Sequence, residues 1–231
     1  MTGRRSQVRR LFVTLAAGVI AGAMASASPG AVSTRAGAQA GKAPAGDCVT
    51  IGTPKPGVGY TYSHITSTGA NSEYTQYWES VTDTGSKVRI VRSRQTLIQT
   101  SVYKVVDDVA QISRMTKAEG TRVTESTTFR PSLVSDPVFR ACAGRVWAVP
   151  SVMAEFSGTP GGRAPTPSGT LTITNLRSRQ TVPAGTFDTV EYVRTSQSRD
   201  VYWKSTVHGV IVKHIATVAG NTVTETLIRI Q

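Results

Sequence analysis

The chain of 231 residues is 39% hydrophobic and 17% charged, and its 26 Lys and Arg against 14 Asp and Glu give a formal charge of +12. Four of the basic residues fall in residues 1–28, so the remainder carries 22 against 14, a net +8 that attracts anionic partners at long range. The positive residues are spread evenly with no Lys/Arg run, which argues against nucleic acid as the partner and for anionic lipid headgroups, wall polymers or glycans.

The N-terminus has the three parts of an export signal. Arg4, Arg5, Arg9 and Arg10 make a basic start, and Leu11–Ala25 form an apolar stretch of fifteen residues. Ala23-Met24-Ala25 and Ala25-Ser26-Ala27 both fit the small-x-small cleavage rule. The stretch is shorter than the ~20 apolar residues that span a bilayer, so residues 1–28 read as a cleaved signal peptide rather than an anchor. Arg9-Arg10-Leu11-Phe12-Val13 resembles a twin-arginine signal, but basic starts contain Arg pairs by chance and the ordinary Sec route is preferred. The expected location is therefore secreted or periplasmic. Residues 29–47 are mostly Ala, Gly, Ser and Pro, a flexible lead, and residues 48–231 are left as one domain with room for a real core.

Cys48 and Cys142 are an even pair in an oxidising compartment and predict one disulfide. No Cys-x-x-Cys or Cys/His cluster accompanies them, so neither a metal nor another cofactor is expected. Beyond Cys48 the chain reads as short runs of Thr, Val, Ile and Tyr divided by Gly, Asn, Asp and Pro, which is strand composition with turn punctuation. Gly59–Ser67 puts Tyr60, Tyr62 and His64 on one face, and Glu73–Val81 puts Tyr74, Gln76 and Trp78 together. Lys87–Leu97 reads as one strand. Val102–Val106 and Val109–Met115 flank Asp107-Asp108, a tight turn rather than a catalytic carboxylate pair, because turns select Asp for local hydrogen bonding.

Thr121–Phe129 is another alternating run, after which Pro131 and Pro137 should break regularity. Pro150 interrupts Val146–Phe156, and Ser157–Gly169, with seven Gly and Pro, reads as a long loop. Strands follow from Gly169, over Thr186–Thr195 and over Asp200–Lys204. Val210–Val218 and Thr222–Ile230 then form a hairpin around Ala219-Gly220-Asn221. Thr186–Ile230 should be one antiparallel unit with Phe187 and Trp203 buried. The fold class is all-β, a single antiparallel domain with a strongly curved sheet, open half-barrel or sandwich.

Candidate chemistry is sparse. His208 and His214 sit six residues apart on one face of a predicted strand, ~20 Å, too far to share a metal, while His64 is remote in sequence but free to approach either. Ser101-Val-Tyr-Lys104 matches a Ser-x-x-Lys acyl-enzyme pattern only in spelling, since a strand sends Ser101 and Lys104 to opposite faces. No nucleophile-elbow, phosphate-loop, dinucleotide or zinc-protease motif occurs. Tyr60, Tyr62, Trp78, Trp147 and Trp203 are the candidates for lining a ligand-binding concavity; cross-strand packing in the core is the ordinary alternative.

Ala143-Gly144-Arg145-Val146-Trp147, then Val182-Pro-Ala-Gly-Thr-Phe187, then Tyr202-Trp203 followed by Gly209, hydrophobic residues and Lys213 make an ordered series. Over about Pro131 to Ile230 it resembles a family of bacterial exported proteins of unknown function and, more distantly, the half-barrel sheets of periplasmic lipoprotein carriers. The resemblance implies a curved antiparallel sheet and no catalytic residue. With the absence of an assembled catalytic motif, it favours a non-enzymatic envelope protein that binds an apolar small molecule or lipid, or a protein or anionic envelope partner. The alternative is a hydrolase whose site is assembled only by the fold.

Overall fold

The computed structural model describes residues 47–93, 95–158, 161–196, 198–218 and 220–231. The expected signal peptide and nearly all of the expected lead lie outside the described residues. The β-branched runs become β1 (Cys48–Thr50), β2 (Gly59–Thr66), β3 (Asn71–Val81), β4 (Gly85–Arg92), β5 (Gln95–Val106), β6 (Val109–Glu119), β7 (Arg122–Pro137) and β8 (Arg140–Cys142). They continue as β9 (Val146–Val149), β10 (Val152–Ser157), β11 (Gly162–Thr166), β12 (Gly169–Val182), β13 (Gly185–Thr195), β14 (Arg199–Ser205), β15 (Ile211–Val218) and β16 (Asn221–Ile230).

Fourteen of these strands form one sheet, in the order β11-β10-β7-β6-β5-β4-β3-β2-β16-β15-β14-β13-β12-β9, and β1 pairs with β8 as a separate ribbon. Every pairing is antiparallel. The order is nearly that of a meander, with the first long strand, β2, seated against the last, β16. Its ends, β11 and β9, are not hydrogen-bonded to each other, so the sheet is not a closed barrel.

It is nevertheless strongly curved. β7 and β13 stand nine places apart in the sheet, which in a flat sheet is ~43 Å. Yet the Arg194 guanidinium on β13 donates to the carbonyls of Val134 and Ser135 on β7, and the Lys204 ammonium on β14 pairs with Asp136 and donates to the Pro137 carbonyl. The two halves therefore face each other across a concave interior. Tyr192 and Tyr202 alternate with Arg194 and Lys204 and point the same way. They join Ile51, Val109, Val134, Trp147, Val149, Leu171, Ile173 and Val190 in one buried apolar cluster.

The N-terminal stretch crosses one end of this sheet. Cys48 lies opposite Cys142 and is disulfide-bonded to it, as expected. Ile51 N–H then donates to the Phe139 carbonyl and Gly52 N–H to the Thr206 carbonyl. Gly59 and Gln231 exchange both backbone hydrogen bonds, which seats β2 against the chain's last residues.

Several local expectations hold and several need correcting. Asp107 and Asp108 have φ of 53° and 65°, the two positive values a tight hairpin between right-twisted strands demands. Lys87–Leu97 is not one strand, because a turn at Ser93 divides β4 from β5 with no Gly or Pro to announce it. Pro131 does not end β7, which runs sixteen residues to Pro137 with its register against β6 shifted between Ile112 and Arg114. Nor is Ser157–Gly169 all loop, since Gly162–Thr166 pairs with β10. A proline is tolerated there because β11 is the sheet edge.

Candidate functional site

Residues that face each other across successive strands build a polar row through the middle of the concave face. Ile173, Tyr192, Tyr202, His214, Glu225, His64 and Ser72 are consecutive register partners from β12 to β3. The rings of Tyr192 and Tyr202 stack 4.8 Å apart, and those of Tyr202 and His214 stack 4.2 Å apart and nearly parallel. His214 lies between two carboxylates, with Nδ1 3.6 Å from Glu225 and Nε2 3.8 Å from Asp200. Glu225 is shared: Tyr74 donates its hydroxyl to Oε1 at 2.5 Å, and His64 Nδ1 stands 3.8 Å from the same oxygen. His214 and Asp200 are all but inaccessible, with side-chain exposures of 3% and 4%, whereas His64 reaches 19% and Ser72 beyond it is exposed.

Charge in such a place is set by neighbours. Burial pulls the His214 imidazole toward neutrality, but the two carboxylates outweigh it and hold its pKa above 6.5. Burial likewise pushes the Glu225 carboxyl up, while His214, His64 and the Tyr74 hydroxyl outweigh it and hold it below 4.5. Burial, with Glu225 adding to it, raises the Tyr62 and Tyr74 hydroxyls well above their usual range, so they stay protonated donors.

A second group occupies the same face on β3, β4 and β5. Gln76 opposes Ile90, which opposes Leu97; Trp78 opposes Val88, which opposes Gln99. Val88, Ile90 and Leu97 thus make an apolar floor between hydrogen-bonding side chains. Gln76, Gln99 and Ser101 border it at 8%, 5% and 6% exposure. The buried Nε1 of Trp78 and Nε of Arg92 are unpartnered. Each buried polar group left unsatisfied costs about 1–3 kcal/mol, so these two donors are expensive as mere packing.

Of the five aromatic candidates, Tyr60, Tyr62 and Trp78 are on the concave face, the two tyrosines at 0% and 4% exposure. Trp147 is in the apolar cluster and donates to the Asp107 carbonyl. Trp203 is not buried as expected; it is half-buried on the face opposite Tyr202, donating to Glu191 and lying under the Lys213 ammonium. His208 is in the turn before β15 rather than in a strand. It packs edge-on against Tyr60 and Phe187, and burial, aided by nearby Lys55, lowers its pKa. Ser101 is buried and Lys104 exposed, as a strand requires. Among the described residues no group of three or more His, Cys, Asp or Glu is arranged to hold a metal ion.

Glu225, Asp200 and Gln99 were not singled out from sequence, and Gln76 was placed only on the face it shares with Tyr74 and Trp78. Half of the row had a local signal: the hairpin around Gly220 sets Glu225 opposite His214 by register alone. Its other half depends on β16 meeting β2, and Tyr74 is 151 positions from Glu225. A cavity of about 300 Å³ lies elsewhere, between the Ala143-Gly144 turn and the irregular Ile173–Arg177 stretch of β12, with Asp47 at its rim.

No family model matches the chain, and no curated protein matches it. Among solved structures it is similar to the crystal structure of a beta-barrel-like protein of domain of unknown function DUF1849 from Brucella abortus. The identity is 7%, the TM-score 0.40, and the match covers 79% of this chain and 99% of that one.

Proposed function

We propose that the protein is exported and that it binds, without acting on it, an apolar or amphipathic molecule on the concave face of its curled sheet. The observation that carries this reading is the β3–β5 group, an apolar floor of Val88, Ile90 and Leu97 bordered by Gln76 and Gln99 and by two buried donors, Trp78 Nε1 and Arg92 Nε, that no described residue satisfies. Trp78 Nε1 and Arg92 Nε are donors only, and the glutamine amides can donate or accept. The matching ligand is a lipid-like or small apolar molecule that carries oxygen acceptors. The bland competitor is ordered water on the same groups.

Native mass spectrometry and organic extraction of protein purified from its own host test the proposal. A retained lipid or small molecule, lost in Gln76→Leu and Gln99→Leu variants that still fold, is the expected result. No extracted ligand, together with leucine variants that are more stable than wild type, would overturn it in favour of water. The net +8 outside residues 1–28 supports weak attraction to anionic envelope components as a separate term. Pull-down on anionic vesicles should then fade as salt passes physiological strength, where the Debye length is only ~8 Å, while a ligand held on the concave face survives the same change.

A hydrolase is the second reading, and the observation on its side is His214 between two carboxylates. That imidazole is 3% exposed, so a substrate could reach it only if the sheet opened. Turnover of an ester, peptide or glycan that disappears on changing His64, His208 or His214 would establish it.

A further inference from the structure

The strands of the N-terminal half carry a second face, turned away from the concave interior. Gln76, Trp78, Val88, Leu97 and Gln99 point inward, so the residues that alternate with them point out, and register carries that outward face from strand to strand. Arg89 opposes Ile98, Ile98 opposes Ala118, and Ala118 opposes Val123. One row along, Val102 opposes Arg114, followed by Thr128, Glu155 and Arg163, while Arg130 opposes Met153 near the sheet edge.

The convex face of β4–β7, β10 and β11 therefore gathers six cations: Lys87, Arg89, Lys104, Arg114, Arg130 and Arg163. Two carboxylates lie among them in the described residues, Glu155 between Arg130 and Arg163, and Glu79 reaching Lys87 from β3. Arg89 lies over the Tyr77 ring and Arg114 donates to Ser126, partners that leave both charges in place. Three apolar side chains stand between these cations, Val102 at 49%, Val123 at 58% and Met153 at 40% exposure. The convex face of the C-terminal half is different. It sets Arg199, Lys213 and Arg229 with Glu191 among threonines of β12, β15 and β16, and its exposed Ile65 and Val146 lie at opposite margins, on β2 and β9.

We propose that the convex face of β4–β7, β10 and β11 docks the protein onto an anionic lipid bilayer. This rests on the attraction to anionic envelope components proposed above and gives it a place and a chemistry. Four of the six cations are guanidiniums, whose planar forks bind phosphate oxygens in pairs. Arg130 and Arg163 have side-chain exposures of 74% and 73%, so a headgroup reaches both despite Glu155. A wall polymer or glycan supplies anions but no apolar phase, and it leaves Val102, Val123 and Met153 in water. A bilayer supplies both, because apolar side chains set among basic ones are stabilised at the boundary of headgroups and acyl chains. The concave face is on the other side of the same strands, so docking does not compete with a ligand on β3–β5.

Sedimentation of protein purified from its own host with phosphatidylglycerol–phosphatidylcholine vesicles, at ~0.15 M ionic strength, tests the proposal. Each basic residue held at an anionic surface strengthens binding by about fivefold. Arg114→Gln with Arg130→Gln should therefore weaken vesicle binding by about tenfold or more. Arg199→Gln with Arg229→Gln removes the same charge from the other half and should weaken it by about twofold or less. Val102→Asn with Val123→Asn should weaken binding to vesicles and leave binding to soluble polyphosphate unchanged. Amine labelling of the unaltered protein needs no variant: vesicles should shield Lys87 and Lys104 and leave Lys213 reactive. Equal losses in the two arginine pairs, or Lys213 shielded as strongly as Lys104, would overturn the docking face while leaving a general attraction. Polyphosphate bound as tightly as vesicles, with no effect of the valine pair, would overturn the bilayer in favour of a polyanionic polymer. No binding to anionic vesicles would overturn both the face and the attraction.

Discussion

Phe187 shows how far a single residue can be read from its neighbours. Pro183 and Gly185 turn the chain between β12 and β13, and Phe187 enters on the buried side at 9% exposure, edge-on to His208 at 5.9 Å. Phe187→Ala should cost about 3 kcal/mol in urea unfolding, the lower end for a buried aromatic, since one edge of the ring lies at the sheet's margin. Trp203→Ala should cost less, because its ring meets Glu191 and Lys213 at the surface rather than the core. The reverse ranking would mean that Trp203 is covered. The face of Trp203 was not legible for a physical reason. Both faces of β14 are covered, with Val201 and Tyr202 at 8% and 7%, so alternation there carries no contrast, and a register shift follows Trp203.

At the scale of elements, the turns that carry Gly, Asn or Asp were legible and the ones that do not were missed. Ser93 enters the β4–β5 turn at φ 47° with an ordinary side chain, and Pro131 lies within a strand, so punctuation alone failed at both. Gly209 separates two effects that sequence merges. It sits at φ 64°, and a Cβ there would stand 2.0 Å from the Gly52 carbonyl oxygen, whereas Gly69, at φ 83°, has nothing within 4 Å. Gly69→Ala should therefore cost only the ~1 kcal/mol of a left-handed alanine. Gly209→Ala adds a backbone collision that must move the N-terminal strap, and should cost at least ~2 kcal/mol more. Thermal unfolding of the two variants side by side checks this. Equal losses would mean that the strap gives way freely and that Gly52 and Gly209 are not a fixed contact.

For the whole molecule, sheet type, strand rhythm and the disulfide were legible because each rests on local composition or on redox chemistry. The concave polar row was legible only in part, because its His64 and Tyr74 side exists only where the last strand meets β2. The same closure makes the strap decisive. Residues between Cys48 and Gly59 cross the end of the sheet, place Ile51 in the apolar cluster at 2% exposure, and hydrogen-bond to Phe139 and Thr206 on different sides. The Cys48–Cys142 bond fastens the outer end of that crossing and closes a separation of 94 residues. In the chain-entropy picture a loop of that length contributes roughly 4–5 kcal/mol through the unfolded state. Removing it by Cys48→Ala with Cys142→Ala should therefore lower the unfolding free energy by about 4 kcal/mol. The exchange protection of β5 and β6 should persist, because their ladder hydrogen bonds do not involve the strap. Ile51 and Gly52 amides, which depend on it, should lose protection first. Thiol labelling of denatured, unreduced wild type should find no free cysteine. A loss under ~1 kcal/mol with Ile51 still protected would mean that the strap is held by its own packing and that the disulfide is incidental to it.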